Sequence, residues 1–317
     1  MVKEWLRDLA RMYLPVYQIE SGHMKVIYAG YSSVKRNYFI RILFCEKLKP
    51  TYLGRRWLWQ IPGLIKSKNP SLVISEISRI TLNHFQKYDG FILPEWTKMR
   101  INIDRPMTEI KKCSGSHNYH DVERRIRKNN LTYEFLTDKE NLEYFITRFY
   151  LPYMTKRHKD EAILTDLNSL WTSVRKPFLL AISENGLMVG AAFCRECADS
   201  YDLMFTGLLD GNDEYRRHGV IGAIYYFAII EGRKKGHKFI EVGGSHPFIN
   251  DGLTKYKMGL GAEFESDVNS WDQGQGHWLG VNKGSPVAMD FIRNNAFIYL
   301  DKDHLAIWSP QKQNKIE

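Results

Sequence analysis

The chain has 317 residues, 45 Lys+Arg against 36 Asp+Glu, a formal net charge of +9 and a pI of about 9.2. Its 44% hydrophobic and 26% charged residues exclude a globally disordered chain, and its length suits one large cored domain or two ordinary ones. No apolar run approaches the roughly 20 residues that a bilayer-spanning helix needs, and four cysteines are too few for a disulfide scaffold, which fits a reducing cytoplasm.

The excess charge is unevenly placed along the chain. Residues 1–104 hold 17 Lys+Arg and 8 Asp+Glu, whereas residues 105–317 hold 28 of each. That asymmetry predicts a basic N-terminal unit over 1–104 followed by a neutral one over 105–317. A helix is predicted over Lys3–Tyr13, with Trp5, Leu6, Leu9, Met12 and Tyr13 at helical spacing and Lys3, Arg7 and Arg11 on another face. Such a helix packs on its own domain or lies peripherally on the inner face of an anionic membrane. Strands are predicted over Met24–Ala29, Tyr38–Phe44 and Arg56–Gln60, a helix over Ser75–Tyr88, and strands over Phe91–Leu93 and Met99–Ile103. This strand-rich first unit carries no catalytic motif.

From Arg105 the texture changes. Asp121–Asn129 reads as a short basic helix and Asn141–Tyr153 as an amphipathic one. Phe178–Ile182 and Met188–Arg195 read as strands joined by the hairpin turn Asn185-Gly186. Cys194 and Cys197 form a Cys-x-x-Cys, but within a strand these positions face opposite sides, and no second pair completes a metal site. After a strand at Asp202–Leu208 comes the basic turn Arg216-Arg217-His218-Gly219 and a helix over Val220–Lys235, closed by Gly236. Phe239–Val242 is a strand and Gly252–Met258 a helix. Two late strands are predicted to flank Gly274–Gly276, with a polar tail after Trp308.

A helix that starts after a Gly-bearing basic turn offers free N–H groups and a positive dipole end, a setting for phosphate. Arg216, Arg217, Gly219 and Gly222 are the candidate donor-binding residues on that ground. Their surroundings resemble the GNAT acyltransferase superfamily, and more closely its FemAB-like branch. The resemblance spans roughly residues 105–264. It rests on Gly219-Val220-Ile221-Gly222-Ala223-Ile224-Tyr225-Tyr226, on Gly236 with Lys238–Gly243, on Gly252–Met258, on Gly261-Ala262, and on the basic segment Arg124-Arg125-Ile126-Arg127-Lys128.

The resemblance implies an α+β fold: a GNAT-like mixed sheet flanked by helices, preceded by a smaller strand-rich unit that is a candidate partial second GNAT-like domain. It also implies an acyl donor threaded between two splayed strands, here Asp202–Leu208 and Phe239–Val242. The expected activity is N-acyl transfer to an amine acceptor in the cytoplasm, with no tightly bound cofactor and no metal. The superfamily's pyrophosphate loop ends in Gly or Ala where this chain has Ile221. Acyl carrier protein and aminoacyl-tRNA therefore stand beside acyl-CoA as donors. No long helical arm of the kind found in tRNA-using relatives is visible, which favours a thioester.

Transfer to an amine needs a proton acceptor and stabilisation of an oxyanion. Glu241 is the expected base, with His246 and Asp251 in reserve. Tyr256 is the expected proton donor, and Lys257 matches the lysine that faces the donor in the FemAB-like branch. Arg124, Arg125 and His246 are the expected substrate-binding residues. A non-catalytic GNAT-fold module that binds nucleic acid or an anionic surface is the competing expectation, since a cationic patch attracts either.

Overall fold

The computed structural model describes residues 12–78, 80–113, 117–158, 164–265 and 275–309. The helix expected over Lys3–Tyr13 lies outside them except for its last two residues, and so does the tail beyond residue 309. Along the chain the first strands are β1 (Tyr13–Ser21), β2 (Met24–Ala29), β3 (Thr51–Trp57), β4 (Leu72–Ser78) and β5 (Phe91–Pro94). Next come β6 (Thr97–Asn102), β7 (Leu131–Leu136), β8 (Pro177–Glu184), β9 (Leu187–Glu196), β10 (Ser200–Leu208), β11 (Phe239–Ser245) and β12 (Glu263–Phe264). The last are β13 (Gln275–Val281), β14 (Phe297–Asp301) and β15 (His304–Trp308).

These elements form two compact units, and the division differs from the one expected at residue 104. Met1–Thr97, Ser245–Thr254 and Glu265–Glu317 make the first; Lys98–Gly244 and Lys255–Phe264 make the second. The physical reason is β13, which pairs antiparallel with β4 on one side and β5 on the other and so completes the N-terminal sheet.

The first unit has a six-stranded sheet in the order β3-β1-β2-β4-β13-β5 and a separate β14-β15 pair. Its core gathers Val26, Tyr28, Phe39, Ile74, Leu279, Phe291 and Phe297. Two sequence expectations are corrected here. Tyr38–Phe44 belongs to a helix, Ser33–Phe44, started by the Ser32 side chain accepting from the Lys35 N–H. Conversely, the helix expected over Ser75–Tyr88 is the end of β4 followed by a single turn, Leu82–Phe85. Ser75-Glu76-Ile77-Ser78 continues β4 antiparallel to β13, and that pairing overrides the helical spacing.

The second unit has a seven-stranded sheet, β12-β6-β11-β10-β9-β8-β7. One core cluster sets Val220, Ala223, Ile224, Ala228 and Ile229 of the helix Val220–Lys234 against Ile182, Ala192, Leu203 and Ile240. Another gathers Phe145, Phe149, Tyr150, Leu179, Ala181 and Phe193. The hairpin between β8 and β9 turns at Asn185 and Gly186, both at positive φ, as the dipeptide predicts. Gly236, at φ +77°, follows the helix Val220–Lys234 as predicted.

The architecture is therefore α+β, with mixed sheets and flanking helices. Both units contain an antiparallel hairpin (β1-β2, β9-β10) followed by a helix and, later in the chain, a strand parallel to the second hairpin strand (β4, β11); in the first unit β3 intervenes and pairs with β1. Among the described residues no helix is long and apolar enough to cross a membrane.

Candidate active site

In the second unit, β10 and β11 pair over only three positions, Ser200↔Phe239, Tyr201↔Ile240 and Asp202↔Glu241. Beyond Asp202 and Glu241 the two strands continue without pairing to each other. Two local features account for the separation. The β9–β10 register shifts between Leu203 and Phe205, a bulge that bends β10. On the other side Gly243 takes φ +71°, a conformation that breaks the ladder and that a side chain would resist. The open part of β10 is backed closely by a helix: a Cβ on Gly207 would lie 2.6 Å from the Phe149 carbonyl carbon, within the π-turn Ile146–Tyr150.

Charged groups collect where the strands part. Register partners point to the same face, so Arg195, Asp202 and Glu241 form a row across β9, β10 and β11. Arg195 and Asp202 are 2.9 Å apart, with 14% of the Asp202 side chain exposed. Burial raises the Asp202 carboxyl above the usual carboxylate value, against the opposing charges of Arg195, Lys98 and Lys257. Lys257, 4% exposed, donates to the Gly244 carbonyl at 2.7 Å. Tyr256 packs edge-on against Tyr225 at 6.0 Å, and desolvation, then the neighbouring Tyr153, hold its phenol protonated. Glu241, Tyr256 and Lys257 thus belong to one unit, with Lys257 bonded three residues further along β11 than Glu241.

The other sequence-predicted residues are placed differently. Gly219, at φ +94°, ends the helix Asp213–His218 and begins Val220–Lys234. A Cβ there would meet Arg125 at 2.8 Å, and one on Gly222 would meet Val122 at 2.8 Å. Both glycines therefore admit the helix His117–Lys128. That contact is fastened by Arg125 donating to the Arg217 carbonyl (2.6 Å) and Asn129 donating to the His218 carbonyl (2.8 Å). Arg216 is exposed and lies 3.3 Å from Asp213. Arg124 and Arg125 both bond Asp121 of their own helix. His246 belongs to the first unit, stacked between Tyr38 (3.9 Å) and Trp96 (4.1 Å). Asp251, also in the first unit, accepts from the Leu253 and Thr254 N–H groups and starts the next helix.

The first unit closes the corresponding place with its own carboxylate. Glu76 accepts from the Tyr31 and Ser32 N–H groups, just ahead of the helix Ser33–Phe44, and from the Tyr28 hydroxyl at 2.7 Å. It lies so close to Gly30 that a Cβ there would sit 2.4 Å from its carboxyl carbon. Cys194 is buried and its thiol is pushed up by burial; Cys197 is half-buried. Among the described residues no three His, Cys, Asp or Glu side chains gather as a metal site.

No family model matches the sequence. No curated protein matches it either. Solved structures similar to the chain include FemX, at 10% identity, covering 84% of each chain, with a TM-score of 0.44. L-PGS from Bacillus licheniformis aligns at 11% identity over 87% of this chain and 83% of its own, TM-score 0.41. A tandem GNAT protein from the clavulanic acid biosynthesis pathway, without AcCoA, aligns at 9% identity over 86% and 80%, TM-score 0.34.

Asp202 is the residue that sequence reading missed. Its signal in the sequence is a carboxylate at the start of the strand expected over Asp202–Leu208, a few residues after the strand expected to end at Arg195.

Proposed function

We propose that the second unit is an acyltransferase that moves an acyl group from an extended donor to an amine. The observation that supports it is the short β10–β11 pairing, which leaves facing strand edges apart beyond a row of charged groups. A donor chain bearing amides, such as the pantetheine arm of coenzyme A or of an acyl carrier protein, can bond such edges as an added strand does. The amine then attacks the thioester carbonyl, a C–N bond forms, the C–S bond breaks and the thiolate leaves. In this reading Glu241 takes the amine proton, Asp202 and Arg195 shape the field around it, and Lys257 faces the developing oxyanion. Tyr256 returns a proton to the leaving sulfur.

Gly219 and Gly222 favour a second donor class. With Val122 and Arg125 packed against them, these glycines offer no open cradle to a pyrophosphate. That supports donors held elsewhere, acyl carrier protein or aminoacyl-tRNA, over free acyl-CoA; with aminoacyl-tRNA an ester C–O bond breaks instead. Arg216 and Arg217 are then contacts for the anionic body of the donor.

Donor choice is tested by incubating the full chain with an amine and, separately, acyl-CoA, acyl carrier protein and aminoacyl-tRNA, and following amide formation by mass spectrometry. One donor class is expected to be consumed, with Glu241→Gln lowering kcat by about 100-fold or more while the protein stays folded. Consumption of none would leave a binding module. Unchanged turnover in both Glu241→Gln and Lys257→Ala would overturn the site.

A further inference from the structure

A second surface, in the first unit, is unused by the chemistry above. From Lys47 to Ser75 the sequence contains Lys47, Lys49, Arg55, Arg56, Lys66 and Lys68 and no acidic residue. The same stretch exposes Tyr52 (56%), Trp57 (40%) and Trp59 (53%), and Tyr13 and Tyr31 beside it are exposed as well. Among the described residues β3 is the edge strand of its sheet, with no further strand beside it. Exposed aromatics gathered at one edge mark an interaction surface, whereas scattered ones do not.

The rings are linked to one another. Tyr13 and Trp57 are 4.8 Å apart, Trp57 and Trp59 stack at 4.9 Å with planes 7° apart, and Tyr17 lies 5.5 Å from Tyr52. Arg55 lies over both Tyr13 and Tyr31, and Arg36 lies over Tyr17. The Tyr31 hydroxyl donates to the Tyr13 carbonyl, which ties the loop after β2 to the edge.

We infer that this aromatic and cationic edge docks the protein on an anionic lipid surface. Indole and phenol rings, with an apolar body and a polar tip, settle at the level of lipid headgroups. Lysine and arginine beside them draw the surface to anionic lipid and keep their charge in the headgroup layer while their stems lie along apolar surface. A single nucleic-acid strand is the other anionic partner that aromatics and arginines attract, but it stacks its bases on open ring faces. Here Trp57 and Trp59 take up one face of each other, and guanidinium groups lie over Tyr13, Tyr17 and Tyr31. That arrangement suits immersion as a group and offers few platforms for bases. The inference is independent of the acyl-transfer reading.

The test is co-sedimentation of the full chain with vesicles of equimolar phosphatidylcholine and phosphatidylserine, against phosphatidylcholine alone. Binding is expected to the anionic vesicles and not to the neutral ones. Trp59→Ala removes a half-exposed ring at no cost to the core and is expected to weaken binding roughly tenfold. The double change Arg55→Gln with Lys66→Gln is expected to weaken it about 25-fold, at about fivefold per cation. Circular dichroism checks that both variants keep the parent fold. Absence of binding to anionic vesicles, or binding unaltered in both variants, overturns the inference. So does tighter binding to a single-stranded oligouridylate than to vesicles, with the same variants weakening it.

Discussion

Where β10 and β11 part, Asp202 is held largely out of water while Arg195 stands 2.9 Å away. Burial outweighs the arginine, so the carboxyl is raised above its ordinary value of 3.8. The folded state therefore holds this proton more tightly than the unfolded chain does. Its contribution to stability is complete below the unfolded value and is lost as pH rises through the raised folded value. Asp202→Asn keeps the shape and removes that loss. The variant is expected to unfold at a higher temperature than the parent at neutral pH, and the difference should shrink below pH 3.8. A variant less stable than the parent at neutral pH would show that the Arg195 pairing dominates. Glu241 and Lys257 stand out in the sequence because they sit in short motifs with characteristic order. Asp202 does not, because its significance comes from burial and from cross-strand register, which a single strand's sequence does not state.

The helix Val220–Lys234 and its neighbour His117–Lys128 show how one residue type serves different ends at the level of elements. A glycine after a basic turn reads as a phosphate cradle, yet Gly222 is where Val122 enters. Valine is stiff at χ1 and cannot swing away from an added methyl group 2.8 Å from its Cγ2. Gly222→Ala is expected to cost about 1–3 kcal/mol through overpacking, measured by urea unfolding. Val122→Ala in the same chain should recover much of that cost, and additive effects would mean the two residues do not share the contact. Elsewhere the local code held where it was conformational: Asn185-Gly186 turns the hairpin and Gly236 follows its helix. It failed where pairing decides. Tyr38–Phe44 looks like a strand by its aromatic and β-branched residues, but a capping serine and packing of Tyr38, Phe39 and Ile40 make it a helix.

Across the whole molecule, the C-terminal stretch closes the N-terminal sheet. Leu279 of β13 sits opposite Ile74 of β4 and Phe91 of β5, 1% exposed within their shared core. Leu279→Ala is expected to cost roughly 2–5 kcal/mol. Hydrogen exchange should then show the lost protection in Leu72–Ser78 and Phe91–Pro94, about 200 residues earlier in the chain. Protection lost instead from β10 and β11 would restore the linear division at residue 104. The same return of the chain redistributes the charge. The first unit carries 20 Lys+Arg and 15 Asp+Glu, the second 25 and 21, so the +9 is shared almost evenly. The sequence by itself determined the total charge, the turns and the α+β texture with its hairpin, helix and strand order, because these depend on composition and neighbouring residues. Only the tertiary structure decided which segments form a unit, which carboxylates stand at the splay and which glycines are filled by a helix. Those depend on pairing and packing between residues far apart in the chain: the segment Glu265–Glu317, which contains β13, adds more acidic than basic residues to a unit that is strongly basic in linear order.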